Sequence, residues 1–190
     1  AGVIRQLDLA GNSVTDFSKA GDLPFYVATD GTDIYCTYRG LSDVGGVKRA
    51  AMPEPVDLAT DQSAPSGLAV DETHVYWLNY DGSFVRAPKA GGLITPIGPP
   101  AVAMALFGGD IVIDATHVYW PGPGSSSCGA RPCTCDPPCG KIWRALKSDA
   151  EPVPQVFAEG DWGDVAGLDD DAQYIYWTTG KDGRLMRKAK

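Results

Sequence analysis

One line of sequence recurs four times in this chain. It reads VATDGTDIYCTY from Val27, LAVDETHVYWLN from Leu68, IVIDATHVYWPG from Ile111 and LDDDAQYIYWTT from Leu168. The aspartates fall at Asp30, Asp71, Asp114 and Asp171, each followed five residues later by Tyr35, Tyr76, Tyr119 or Tyr176. The next position holds Cys36, Trp77, Trp120 and Trp177. The aspartates lie 41, 43 and 57 residues apart, and the long interval carries an insertion of about 15 residues. A period near 42 residues means that the chain builds one supersecondary unit repeatedly and stacks the copies.

The rest of each unit is also legible. A strand ending in arginine follows every copy, as GGVKRA, SFVRAP, KIWRAL and RLMRKA, giving Arg49, Arg86, Arg144 and Arg187. The opening VIRQLDLAGNSV sets Arg5 in the same context and leads into a short outer strand predicted over Ser13 to Phe17. The 23 glycines and 15 prolines punctuate short apolar runs, and no long amphipathic helix can be traced. Four short strands per period predict an all-β propeller of about four four-stranded blades. In one blade, strand A spans Gly67 to Val70, B His74 to Leu78, C Ser83 to Ala87 and D Leu93 to Ile97. Alternation along HVYW puts valine and tryptophan on one face, histidine and tyrosine on the other. Sheets stacked on both faces need such large flat side chains. The aspartate can accept backbone N–H bonds and close the A–B turn.

These motifs, D-x-T-x-V-Y-W followed by the arginine strand, resemble the YWTD and NHL-type repeats of β-propellers, TolB-like forms included, with YIYWTTG at Tyr174 to Gly180 the nearest match. The resemblance runs from Val3 to Lys188 and implies strands and packing, not a reaction. Its members include receptor ectodomains, periplasmic scaffolds, extracellular sensors and a few lyases or hydrolases. Residues 1–190 are expected to form a single propeller domain, with A and B strands near 25–39, 67–80, 110–121 and 166–179. Such propellers close with six or more blades, whereas four A–B pairs are present here. Three solutions follow: a closed small ring completed by the N-terminal segment, a segment of a larger ring, or an arc completed by a second chain.

The insertion, residues 121–141, holds Cys128, Cys133, Cys135 and Cys139. Their C-x4-C-x-C-x3-C spacing is not that of a zinc knuckle, and no histidine interrupts it. Two local disulfides suit a Pro- and Gly-rich loop that cannot build a core, and imply an extracellular, periplasmic or cell-surface location. Cys36, in the tryptophan position of the first copy, reads as a buried free thiol.

Propeller geometry gathers the B–C and D–A loops at one mouth of the disc. The binding candidates there are Tyr38, Arg39, Asn79, Tyr80, Asp81, Phe107, Trp162, Lys181 and Asp182, with Trp162 expected as an exposed aromatic contact. No cofactor is expected; Asp161, Asp164, Asp169 and Asp170 are weak calcium candidates on oxygen-ligand chemistry alone. No catalytic triad or phosphate-cradling loop can be assembled. A net charge of -8 argues against a nucleic-acid partner, and no apolar run is long enough to span a membrane as a helix. The leading expectation is a secreted or surface-exposed scaffold that binds protein or glycan and assembles with copies of itself through its terminal blades. A lyase- or hydrolase-type enzyme at the channel mouth and a polymerising structural subunit are the alternatives.

Overall fold

Every aspartate-led turn closes an antiparallel hairpin, and the arginine strand pairs along its far side. The computed structural model describes residues 2–8, 10, 11, 13–40, 42–51, 54–98, 110–122, 140–163 and 165–190. The insertion's four cysteines and Phe107 lie outside the described residues. β1 (Gly2–Asp8) and β2 (Ser13–Gly21) form a two-stranded sheet. Three four-stranded sheets follow. The first contains β3 (Pro24–Thr29), β4 (Ile34–Tyr38), β5 (Val44–Ala50) and β6 (Val56–Ser63). The second contains β7 (Ser66–Val70), β8 (His74–Leu78), β9 (Phe84–Pro88) and β10 (Thr95–Pro96). The third contains β11 (Val112–Ile113), β12 (His117–Gly122), β13 (Gly140–Leu146) and β14 (Gln155–Gly160). β15 (Val165–Asp170), β16 (Tyr174–Thr179) and β17 (Leu185–Ala189) make a three-stranded fourth. The second strand of the chain is longer than expected, running on to Gly21, because it pairs with β1 along its whole length.

Alternation along the B strands sorts the core between blades. Trp77 and Val75 pack with Tyr35 and Val47 of the first blade, whereas Tyr76 and Leu78 pack with Val118 and Trp120 of the third. Tyr119 then joins Ile175 and Trp177 of the fourth. The tryptophan position therefore faces the preceding blade and the tyrosine position the following one. Cys36 obeys the same rule, since its Sγ lies 3.8 Å from the Ala20 carbonyl of β2. Burial pushes its thiol up to about 11, which leaves it protonated and inert at neutral pH.

The blades form an arc. Among the described residues β1 is paired only with β2, and β17 only with β16, so the N-terminal strands do not close the ring onto the last blade. Instead β2 packs against β4 and β5, at the end of the arc away from the second blade. Closure into a small ring is thus replaced by an open array. The motif setting explains why: Arg5 and Arg187 place β1 and β17 in the same strand position, where they compete rather than complement.

Candidate functional site

The A–B and C–D turns lie at one mouth of the arc, and their carboxylates are committed to the frame. Asp71 Oδ1 accepts the N–H groups of Thr73 and His74, both at 2.8 Å, while the Tyr76 hydroxyl donates to Oδ2 at 2.9 Å. Asp114 repeats the pattern with Thr116, His117 and Tyr119, and Asp171 with Gln173, Tyr174 and Tyr176. Burial raises the Asp71 carboxyl, but these donors and Lys147 outweigh it and hold it at about 2. Burial, with the reciprocal bond added to it, pushes the Tyr119 phenol up to about 12.

A lysine three residues after the repeat arginine ties blade to blade. Lys147 reaches Asp71 of the preceding blade at 3.3 Å, and Lys89 pairs with Asp30. That pair pulls Asp30 well below the usual carboxylate range, its turn N–H bonds adding to the effect. In this first blade Tyr35 turns to Asp33 instead, at 3.4 Å. The Arg-x-x-Lys spacing at 86/89 and 144/147 was the signal for this staple, whereas the copy at 187/190 sends its lysine to Asp170 of its own blade. A cleft of about 910 Å³ opens between these turns, lined by Asp30, Asp71, Asp114, Lys89 and Lys147 among others. His74 and His117 sit beside it with Nδ1 bonded to Thr73 and Thr116 at 2.8 and 2.7 Å. The Asp71 and Asp114 oxygens and the Nδ1 atoms of both histidines therefore serve the turns at this mouth.

The opposite mouth carries most of the sequence-derived candidates, and the structure brings them together in two groups. In the first, four loops are laced by backbone bonds: Arg39 N–H to the Leu23 carbonyl (3.1 Å), Gly40 to Asp22 (3.1 Å), Ala64 to Asp43 (2.8 Å) and Tyr80 to Ser63 (2.8 Å). The Arg39 guanidinium lies 5.7 Å from the Tyr80 ring centroid and pairs with Asp43 at 2.8 Å. Lys48 lies 5.0 Å from the Tyr38 ring and pairs with Asp57. Asn79 is buried, donating to Gln62 Oε1 and Ser83 Oγ, so it braces the loop from beneath. A Cβ on Gly45 would meet the Tyr38 carbonyl oxygen at 1.9 Å, which ties the Tyr38–Arg39 turn to a residue without a side chain.

Four non-glycine residues adopt left-handed φ among the described residues: Leu23 (52°), Asp43 (57°), Asp61 (56°) and Ala64 (39°). Leu23, Asp43 and Ala64 lie in these loops, and Asp61 sits at the irregular end of β6 that leads into one of them. Each costs roughly 1–3 kcal/mol and persists only where its surroundings over-determine it. Leu23 also precedes Pro24, which already restricts its backbone. No residue pattern announced this concentration of strain, because the φ of a single loop residue is set by distant backbone partners.

The second group joins blades three and four. Trp162 is half-buried, with its ring 5.3 Å from that of Trp177, and is not the exposed aromatic its acidic, glycine-rich neighbours suggested. A Cβ on Gly140 would stand 1.9 Å from its Nε1, and one on Gly160 2.4 Å from Cζ3; the indole fills a slot those glycines leave open. Lys181 binds the Trp162 carbonyl through its N–H at 3.1 Å and Asp161 through Nζ at 2.7 Å. Asp182 accepts from Thr179 and pairs with Arg184. The calcium candidates are not brought together. Asp161 lies before β15 at the loop mouth, whereas Asp170 ends that strand at the turn mouth, paired with Lys190. Asp169 and Asp170 alternate across the strand, and Asp164 lies outside the described residues.

Comparison with protein-family models and with curated proteins finds no match. Among solved structures, the chain is similar to one from a nidogen/laminin complex, at 19% identity and TM-score 0.71, over 99% of this chain and 71% of that one. It is also similar to the computationally designed Ika4 protein (9% identity, TM-score 0.62, 92% and 98% covered) and Ika8 protein (13%, 0.60, 100% and 65%). At these identities the likeness shows the fold alone, a β-propeller.

Proposed function

We propose that this propeller is a non-catalytic binding module, displayed outside the cell or at its surface, that holds a protein ligand at the mouth formed by its B–C and D–A loops. The observation that carries this reading is the lacing of four loops around Arg39 and Tyr80, which presents side chains on a backbone braced against movement. Preformed surfaces bind with little ordering cost. A solved neighbour of the same fold in a complex with another protein supports a protein-binding role, and the cysteine-rich insertion supports an oxidising compartment. The commitment of the Asp71 and Asp114 carboxylates to hydrogen bonds supports binding over acid–base catalysis by these two groups.

A glycan used as a wedge tests it. Asp81→Asn creates an Asn-Gly-Ser acceptor at the loop mouth, and Leu93→Asn creates Asn-Ile-Thr on a C–D turn at the other mouth. Both are secreted from glycosylating cells and applied to an array of purified extracellular ectodomains. Signals seen with the parent chain should vanish with the first glycan and survive the second; the reverse pattern would sink the loop-mouth assignment.

A second reading, assembly with copies of itself, is favoured by the ends of the arc. Phe25 and Val27 are 52% and 62% exposed beside a groove of about 410 Å³ that reaches Val3 and Cys36. Apolar surface of this kind is usually covered by a partner. Light scattering across a concentration series should show mass rising above the monomer, and a constant monomer mass rejects self-assembly.

A further inference from the structure

We propose that the loop mouth of the first two blades takes a basic peptide segment of a partner protein, anchored by an apolar side chain on Leu23, Val44 and Tyr80. This deepens the binding reading above and rests on it. The three residues are 55%, 55% and 53% exposed, Leu23 and Tyr80 on laced loops and Val44 at the start of β5. Their continuity follows from the lacing itself. Arg39 bonds Leu23 and stacks on Tyr80, Asp43 beside Val44 holds Ala64, and Ser63 holds Tyr80. Tyrosine is among the side chains enriched at binding hot spots, and Leu23 and Val44 add exposed apolar area beside it.

Charge selects the occupant. The cations of this mouth are already neutralised, Arg39 by Asp43 and Lys48 by Asp57. Asp61 and Asp81 are exposed and accept only local donors, the Thr60 hydroxyl and the Ser83 N–H and hydroxyl, with no ion pair among the described residues. The patch is therefore apolar at its centre and negative at its rim, within a chain of net charge -8. A segment carrying lysine or arginine on either side of a leucine or aromatic complements it, and an acidic segment is repelled. The left-handed backbone at Leu23, Asp43, Asp61 and Ala64 holds this arrangement in place before any ligand arrives.

The test uses the full chain, produced in a non-glycosylating host, and three short fluorescent peptides read by anisotropy: lysine alternating with leucine and tyrosine, the same with glutamate for lysine, and lysine with serine. The first should bind and the other two should not. Tyr80→Ala should weaken binding about tenfold or more. Asp61→Asn combined with Asp81→Asn should weaken it and flatten its salt dependence, with the backbone undisturbed because asparagine tolerates left-handed φ. Equal or tighter binding of the glutamate peptide, no binding of any peptide, or indifference to Tyr80→Ala would each overturn the proposal. An array signal that the Asp81 glycan still blocks would then keep the loop-mouth reading while this patch chemistry falls. An array signal indifferent to that glycan removes the broader reading as well.

Discussion

Asp71→Ala should destabilise the chain by about 3–5 kcal/mol at neutral pH, far more than a surface turn residue normally contributes. The substitution strips acceptors from two turn N–H groups and from the Tyr76 hydroxyl, which is fully buried, and leaves Lys147 of the next blade without its partner. Asp171→Ala removes the corresponding turn bonds at Tyr176, which is only partly buried, and should cost only a small fraction as much. The difference between two identical motifs measures what the inter-blade setting adds. Its pH dependence has a definite sign. The folded Asp71 carboxyl titrates at about 2, below its unfolded value, so its contribution is complete above the unfolded value and is lost as pH falls through about 2. Urea unfolding at pH 7 and in acid should therefore show the gap between parent and Asp71→Ala narrowing as the solution is acidified. A gap that stays constant would mean that the carboxylate charge contributes nothing.

Trp120→Ala should cost about 3–5 kcal/mol. This indole is fully buried and lies 4.5 Å from the Phe84 ring across the interface of the second and third blades. In a stacked array each unit is stabilised by its neighbours, so a cavity at the central interface should also split one unfolding transition into two. Calorimetry would show this as a broadened or doubled endotherm, and a single sharp transition at a lower temperature would mean that the blades on the two sides still unfold as one unit. Phenylalanine replacements separate packing from hydrogen bonding. Trp77 Nε1 donates to Gln62 at 3.2 Å, while Trp120 Nε1 is buried with no partner among the described residues. Trp77→Phe should accordingly be the more damaging of the two.

The frame was legible because its determinants are local. An aspartate two and three residues before the N–H groups it accepts, and a tyrosine five residues on, can be recognised in any one copy. The binding surface was legible only in part. Tyr38, Arg39, Tyr80 and Asp81 do gather at one mouth, but Asn79 is buried and Trp162 is wedged into a slot cut by Gly140 and Gly160. Glycines far apart in sequence created that slot, and no local pattern records it. The acidic run misled for a similar reason: adjacency in sequence became separation in space once β15 carried Asp161 and Asp170 to opposite mouths.

By itself the amino-acid sequence determined the unit: its period, its four strands, its turn chemistry, and an alternation of aromatic residues that requires both faces to be covered. Those features depend on contacts a few residues apart. Only the tertiary structure decided which blade each face meets, that lysines 59 and 76 residues away hold Asp30 and Asp71, that the N-terminal strands flank the first blade instead of closing a ring, and that four loops share one strained mouth. These depend on the free energy of packing one repeat on the next. Identical repeats leave that term nearly the same for several arrangements, and it is resolved where the copies differ: Cys36 for tryptophan, Leu23 before Pro24, and arginine strands at both ends.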